Sequence, residues 1–144
     1  MPKSYWADCY AHGDAIVALG SRKLAVATRH LKRVQAAWDN PTDWDDLSLY
    51  GFYCLEAAVE AAALHFNWRT SKKHWEKVDT ASALHNEKGL PDVSDLLREL
   101  NNARKAAAYG DTEVPDLEAE SIASQIEEYV NAITALLSEG SGDE

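Results

Sequence analysis

The sequence has little of what disulfide frameworks, metal sites and membrane spans require. Its 144 residues include two cysteines, Cys9 and Cys54, which lie far apart and match no metal-binding or redox spacing. No stretch approaches the roughly 18 uninterrupted apolar residues of a membrane span, because the richest run, 55–66, contains Glu56 and Glu60. The first residues lack the basic-then-apolar pattern of a secretory signal. We therefore expect a cytoplasmic protein with free thiols and no contact with a membrane.

Familiar signatures of catalysis and of metal binding are also missing. There is no glycine-rich phosphate loop and no nucleophile elbow of the G-x-S-x-G type. No two histidines are three or four residues apart, the spacing that lets two imidazoles on one helix face share a metal ion; they stand at positions 12, 30, 65, 74 and 85. The sequence thus predicts no metal and no other cofactor.

Positive charge is scarce as well. Fourteen Lys and Arg against twenty-four Asp and Glu give a formal net charge of -10. This charge repels a polyanion at long range and leaves little counterion release to drive phosphate binding, so general nucleic-acid binding is disfavoured. The basic residues are concentrated early, within 22–33, whereas the acids are concentrated after Asp111. This cluster is either a solvated helix face or a local basic face that contacts RNA.

Apolar residues are present at steps of three and four along the whole chain, which is the period of the α-helix. We predict an all-α fold, an up-and-down bundle of four long helices plus a short connecting helix. This single domain should cover 1–138 and be followed by an acidic, flexible tail at 139–144. The predicted helices are 16–38, 44–67, a connector within 69–89, a helix from Asp92 or Ser94 to Tyr109, and a last helix that begins near Pro115 and carries the apolar stripe 122–136.

Turn and capping residues separate these helices. Asp43 or Thr42 is predicted to cap the second helix and Ser71 the connector. Gly89 and Gly110 each follow a helix end, where a left-handed backbone is easiest for glycine. Two further features concern packing: Gly20 indicates a kink or a late start in the first helix, and the alanines of the second helix, within 57–63, favour a central position.

The segment 97–111, LRELNNARKAAAYGD, resembles the signature helix of the HEPN superfamily, in which an arginine is followed after four to six residues by a histidine. Here Arg104 is followed after four residues by Tyr109, which is similar to a branch of the superfamily whose motif reads R-x-x-A-D-Y. Ala108 stands in the place of that aspartate. The order of the helices, with His74 in the connector, also agrees, and the resemblance covers roughly residues 14–138.

The resemblance implies a HEPN-like fold, a homodimer whose two-fold interface joins both arginine motifs, and, in many members, metal-independent RNA cleavage. In that reaction the arginine binds the scissile phosphate and the histidine takes the proton of the attacking 2′-hydroxyl. The implied site residues are Arg104, Tyr109 and Asn101, in a cleft between two copies. A tyrosine with a pKa near 10 is a poor base at neutral pH, which favours weak or absent cleavage.

Three functions therefore stand as hypotheses. The first is a self-associating, catalytically weak or inactive component of a microbial toxin–antitoxin or defence-type system, with a cognate protein as a further partner. The second is a metal-independent endoribonuclease, and the third is a sensor of a small ligand or nucleotide built from aromatic residues near the helix ends: Trp38, Trp44, Trp68 and Trp75. In a purely structural alternative, Arg104 pairs with Glu99 or an acid of the last helix, the tryptophans close the core, and His74 and His85 are hydrogen-bonded connector residues.

Overall fold

The computed structural model describes residues 5–39, 41–110 and 118–141, with the side chains of 17–39, 41–110 and 118–139. Five helices occupy these ranges: α1 (Tyr5–Ala37), α2 (Trp44–His65), α3 (His74–Lys88), α4 (Ser94–Ala108) and α5 (Ala119–Ser141). No strand is found within them, so the predicted all-α bundle is confirmed. α3 and α4 have 15 residues each, and the other three helices have 22 to 33.

The first helix is longer than the sequence pattern predicts. α1 begins at Tyr5 instead of residue 16 and continues through Gly20, so the prediction of a late start is wrong. The physical reason is that the helical period already holds here, since Tyr10 lies four residues after Trp6 and three after Ala7. At the other end of the chain, α5 runs to Ser141, three residues into the segment predicted as a tail, and 142–144 lie outside the described residues.

The caps agree with the predictions in part. Asp43 caps α2, because its Oδ1 accepts a hydrogen bond of 3.0 Å from the backbone N–H of Asp46. Ser71 does not cap α3; that position belongs to Lys73, whose N–H donates to the Ser71 hydroxyl. Asp92 receives two bonds from Ser94 although Val93 holds the cap position of α4.

Two helix ends use glycine as predicted. Gly89 (φ 74°) follows α3 and Gly110 (φ 87°) lies just beyond α4, and both have the left-handed backbone that residues with a Cβ rarely adopt. The predicted restart at Pro115 lies outside the described residues.

α2 is the central helix, as its alanines predicted. It contacts each of the other four helices, while α1 also contacts α5 and α3 contacts α4. By length and apolar composition α2 could cross a membrane. No other helix in the described part of the chain is both long and apolar enough to do so. However, 72% of that apolar stretch is buried inside the bundle, as in the core helix of a soluble protein.

The core forms where α4 and α5 converge on α2. Its largest fully buried side chains include Leu100 of α4 and Ile126 and Tyr129 of α5, and each such apolar side chain contributes about 1.5–3 kcal/mol when removed from water. The absence of a side chain at Gly51 lets α4 and α5 pack closely against α2. A Cβ added there would lie 3.0 Å from Ile126 Cδ1 and 3.2 Å from Leu100 Cδ1.

The contrast between two helical glycines gives a test of this packing. A Cβ at Gly20 would meet only ordinary contacts, with Leu64 Cβ at 3.7 Å and the Ala61 carbonyl oxygen at 3.8 Å. We expect Gly20→Ala to raise the free energy of unfolding by about 0.5–1 kcal/mol, since alanine restricts the unfolded chain more than glycine. Urea unfolding followed by circular dichroism measures this change. A decrease in stability would contradict the ordinary contact distances around a Cβ at Gly20.

A larger side chain at Gly51 should lower the free energy of unfolding. Gly51→Val places methyl groups against side chains that are themselves fully buried. Overpacking of this kind costs about 1–3 kcal/mol, so the urea midpoint should fall. A variant as stable as the wild type would show that α4 and α5 can move away from α2 at little cost.

Candidate functional site

Arg104 is held by its own helix and by α2. One turn earlier on α4, Asn101 Oδ1 accepts a hydrogen bond of 2.6 Å from Arg104 Nη2. The guanidinium carbon lies 4.7 Å from the centroid of the Phe52 ring and 5.9 Å from that of Tyr53, both on α2. The ring face and the amide fix the plane of the guanidinium, because cation–π contact and hydrogen bond act in different directions.

Arg104 has no acidic partner in the described part of the chain. No carboxylate there lies within ion-pair distance, and the buried Nε of Arg104 has no hydrogen-bond partner. The predicted alternative, a pair with Glu99 or an acid of the last helix, is therefore wrong. Oε1 of Glu99 is itself buried without a partner. A half-buried guanidinium bonded only to a neutral amide retains donors for an external anion such as a phosphate.

Tyr109 is not brought to Arg104. It lies just after the end of α4, its side chain is 86% exposed, and no hydrogen bond or ring contact joins it to Arg104 among the described residues. The reason is helical geometry: α4 stays regular through Ala108, and positions five apart point about 140° away from each other. Of the three predicted site residues, Asn101 and Arg104 are in contact within one chain, whereas Tyr109 lies apart from them.

The structure places His74, paired with Glu56, against the same Phe52 ring that Arg104 contacts. Nδ1 of His74, the first residue of α3, donates a hydrogen bond to Oε2 of Glu56 on α2. Its ring also meets Phe52 edge-on, with the centroids 5.0 Å apart, so one phenyl ring contacts both His74 and Arg104. With Nδ1 donating, a neutral His74 has Nε2 available as an acceptor. One feature of the sequence could have indicated this pair: Glu56 is an acid within the most apolar run of the chain, so it needs a polar partner.

Glu56 belongs to a chain of buried charges that fixes α3 on the bundle. Lys77 of α3 lies 3.6 Å from Glu56 and 3.3 Å from Glu60, and Lys23 of α1 lies 3.5 Å from Glu60. Glu56 and Lys77 are 6% and 8% exposed, so each charge depends on its partners for solvation. The chain joins α1, α2 and α3 and holds His74 in place against Phe52.

The remaining nucleophile and metal candidates have structural roles. Cys54 is buried, its Sγ donates to the carbonyl oxygen of Ala27 at 3.2 Å, and burial raises the pKa of its thiol to about 12. His85 is a hydrogen-bonded connector residue as predicted, because its Nδ1 donates to the carbonyl oxygen of Leu90. Among the described residues, no group of three or more His, Cys, Asp and Glu side chains is placed to hold a metal ion.

The four tryptophans near the helix ends pack on the core or face solvent. Trp38, Trp44 and Trp68 pack against the core, and Trp75 is 62% exposed. A cavity of about 470 Å³ lies between α1, α2 and α5. Its lining is mostly apolar and includes no tryptophan.

Comparison of the chain with protein-family models, with curated proteins and with solved structures found no match.

The buried charges make a prediction about stability. Lys77→Met removes the partner that Glu56 and Glu60 share, while Glu56 keeps His74 and Glu60 keeps Lys23. Leaving a buried charge with no partner costs about 3–5 kcal/mol, so we take this as the upper limit of the loss. The free energy of unfolding, measured in urea, should fall by at most that amount. Adding Glu56→Gln should restore part of the loss, because it removes one of the two carboxylates that have lost Lys77.

The control is Lys72→Met at an exposed position, which should change stability by less than about 0.5 kcal/mol. Equal losses in both lysine variants would contradict the network.

Proposed function

We propose that this protein is a HEPN-like, self-associating helical protein of the cytoplasm that binds an RNA phosphate at Arg104 and cleaves RNA weakly or not at all. The observation that carries the proposal is the guanidinium of Arg104, held by Asn101 and Phe52 and without an acidic partner among the described residues. A role in a microbial toxin–antitoxin or defence-type system, with a cognate protein partner, follows from the resemblance of 97–111 alone.

Weak cleavage is supported by what surrounds Arg104. The residue at the position of the motif histidine is Tyr109, which points into solvent and makes no contact with Arg104 in the described part of the chain. A phosphate on Arg104 would therefore lack a base on the same helix. Such an arrangement favours RNA binding without efficient cleavage. Stabilisation of the phosphate and transfer of the proton contribute separately to the rate, and only the first is provided on this helix.

A metal-independent endoribonuclease is the second candidate, and His74 is the observation that favours it. Its imidazole touches the same Phe52 ring as Arg104, and Glu56 fixes its orientation. In this reaction Nε2 takes the proton of the 2′-hydroxyl and the oxygen attacks phosphorus. The 5′-oxygen leaves and takes a proton from water, so that a 2′,3′-cyclic phosphate and a new 5′-hydroxyl end are formed.

The binding site is tested with Arg104→Gln. We expect it to weaken binding of a fluorescein-labelled single-stranded RNA about tenfold to a hundredfold, because charge-assisted hydrogen bonds of about 1.5–3 kcal/mol are lost. Fluorescence anisotropy at low salt measures the affinity. The control is Arg98→Gln on the same helix, since Arg98 is 59% exposed and paired with Asp95 at 2.8 Å. Equal affinities of the two variants would contradict phosphate binding at Arg104.

A cleavage assay of the same proteins separates the two candidates. Intact RNA in the presence of wild-type protein supports the weak or inactive protein. Cleavage that is lost in both Arg104→Gln and His74→Gln supports the endoribonuclease.

Self-association is tested by light scattering. Tyr109 is exposed at the end of the helix that carries Arg104, where the resemblance implies a two-fold interface. We expect a dimer whose dissociation constant rises about thirtyfold in Tyr109→Ser, as an interface residue worth about 2 kcal/mol predicts. The control is Trp75→Ser on α3, also a largely exposed aromatic. A monomeric wild type, or a weaker dimer in the control alone, would contradict an interface at Tyr109.

A further inference from the structure

A row of neighbouring rings on α1 and α2 connects Arg104 to a second arginine. The ring centroid of Tyr53 is 5.9 Å from the Arg104 guanidinium carbon and 5.9 Å from the centroid of His30. His30 in turn stacks on Tyr50, with centroids 5.8 Å apart and planes inclined by 29°. Arg33 closes the row: its guanidinium carbon lies 5.0 Å from the Tyr50 ring centroid, and its Nη1 donates to the Tyr50 hydroxyl. These five side chains are called the aromatic strip below.

The aromatic strip is open to solvent and carries a positive charge at each end. Tyr53 is 37% exposed, Arg33 is exposed, and the other two rings are half-buried. In the described part of the chain no carboxylate lies within ion-pair distance of Arg33 or Arg104. Asp43 and Asp46 line the same shallow depression as Arg33, so we expect its contact with an anion to be the weaker of the two.

The middle of the strip is neutral. Burial, followed by the charges of Arg29 and Arg33, lowers the pKa of His30, so its imidazole carries no charge at neutral pH. Its Nδ1 is buried and has no hydrogen-bond partner. The sequence of groups along the strip is thus a cation, three adjacent rings without charge, and a cation.

We propose that the aromatic strip is a track for single-stranded RNA, in which Arg33 and Arg104 bind phosphates and the exposed Tyr53 ring stacks on a base between them. This inference deepens the proposed function and rests on it. An unpaired strand offers phosphates for the two arginines and bases that are free to stack on an exposed aromatic side chain between them. A duplex keeps its base faces inside, and the overall charge of -10 opposes binding by electrostatics alone.

The test compares three variants with a labelled decauridylate and with a labelled G·C-rich RNA duplex of about ten base pairs, which stays paired at low salt. Tyr53→Leu should weaken binding of the single strand roughly fivefold to a hundredfold through lost stacking, with no change in the salt dependence. Arg33→Gln and Arg104→Gln should each lower the slope of log affinity against log salt by about 0.7, the value for one phosphate contact to a single strand. Arg98→Gln, at an exposed arginine of α4 outside the strip, is the control and should bind as the wild type does.

The outcomes distinguish this inference from the proposed function. If Arg104→Gln weakens binding while Arg33→Gln and Tyr53→Leu do not, phosphate binding at Arg104 stands and the track is overturned. Equal affinity for the duplex would overturn it as well. If the wild type binds neither RNA, both proposals fail. Circular dichroism of each variant confirms folding, which the exposure of Arg33 and Tyr53 leads us to expect.

Discussion

The burial of α2 by the four other helices is the constraint on which the rest of the structure depends. A polar or charged side chain on a helix enclosed in this way cannot rely on water and must find its partners on the neighbouring helices. Glu56 does so with His74 and Lys77, and Glu60 does so with Lys77 and Lys23. Because Glu56 and Glu60 need partners from the protein, one imidazole and two lysines are held at fixed positions around α2.

Phe52 links this packing to the candidate site. The ring is 1% exposed, yet it contacts the guanidinium of Arg104 and the imidazole of His74. A cation on an aromatic face keeps part of its electrostatic stabilisation without a counter-ion, so Arg104 remains half-buried and chemically available. An acid in place of Phe52 or Asn101 would neutralise the guanidinium. The site thus exists because an apolar core residue and an amide, in place of a carboxylate, support the arginine.

The sequence predicted the parts of this structure that depend on local chemistry. The helical period and the left-handed glycines 89 and 110 are properties of a few neighbouring residues and were predicted, and Asp43 was one of the two caps predicted for α2. The distance between His74 and Arg104 depends on how α3 and α4 pack on α2, and no periodicity encodes it. The partners of Arg104 were missed for the same reason. The sequence offered Glu99 on the same helix as a partner, whereas the rings that contact Arg104, Phe52 and Tyr53, are about fifty positions away in the chain.

The acidic composition and a phosphate-binding site are compatible because charge acts over a limited distance. At about 0.1 M salt the screening length is about 10 Å, so acids on the far side of the bundle contribute little at Arg104. What matters there is the near environment, in which Asn101, Phe52 and Tyr53 are uncharged and the nearby Glu56 is itself paired with His74 and Lys77. The net charge then limits how strongly and how far an RNA is attracted, while the local arrangement decides where it can bind. Few phosphate contacts and a large share of stacking are the kind of binding that an acidic protein can support.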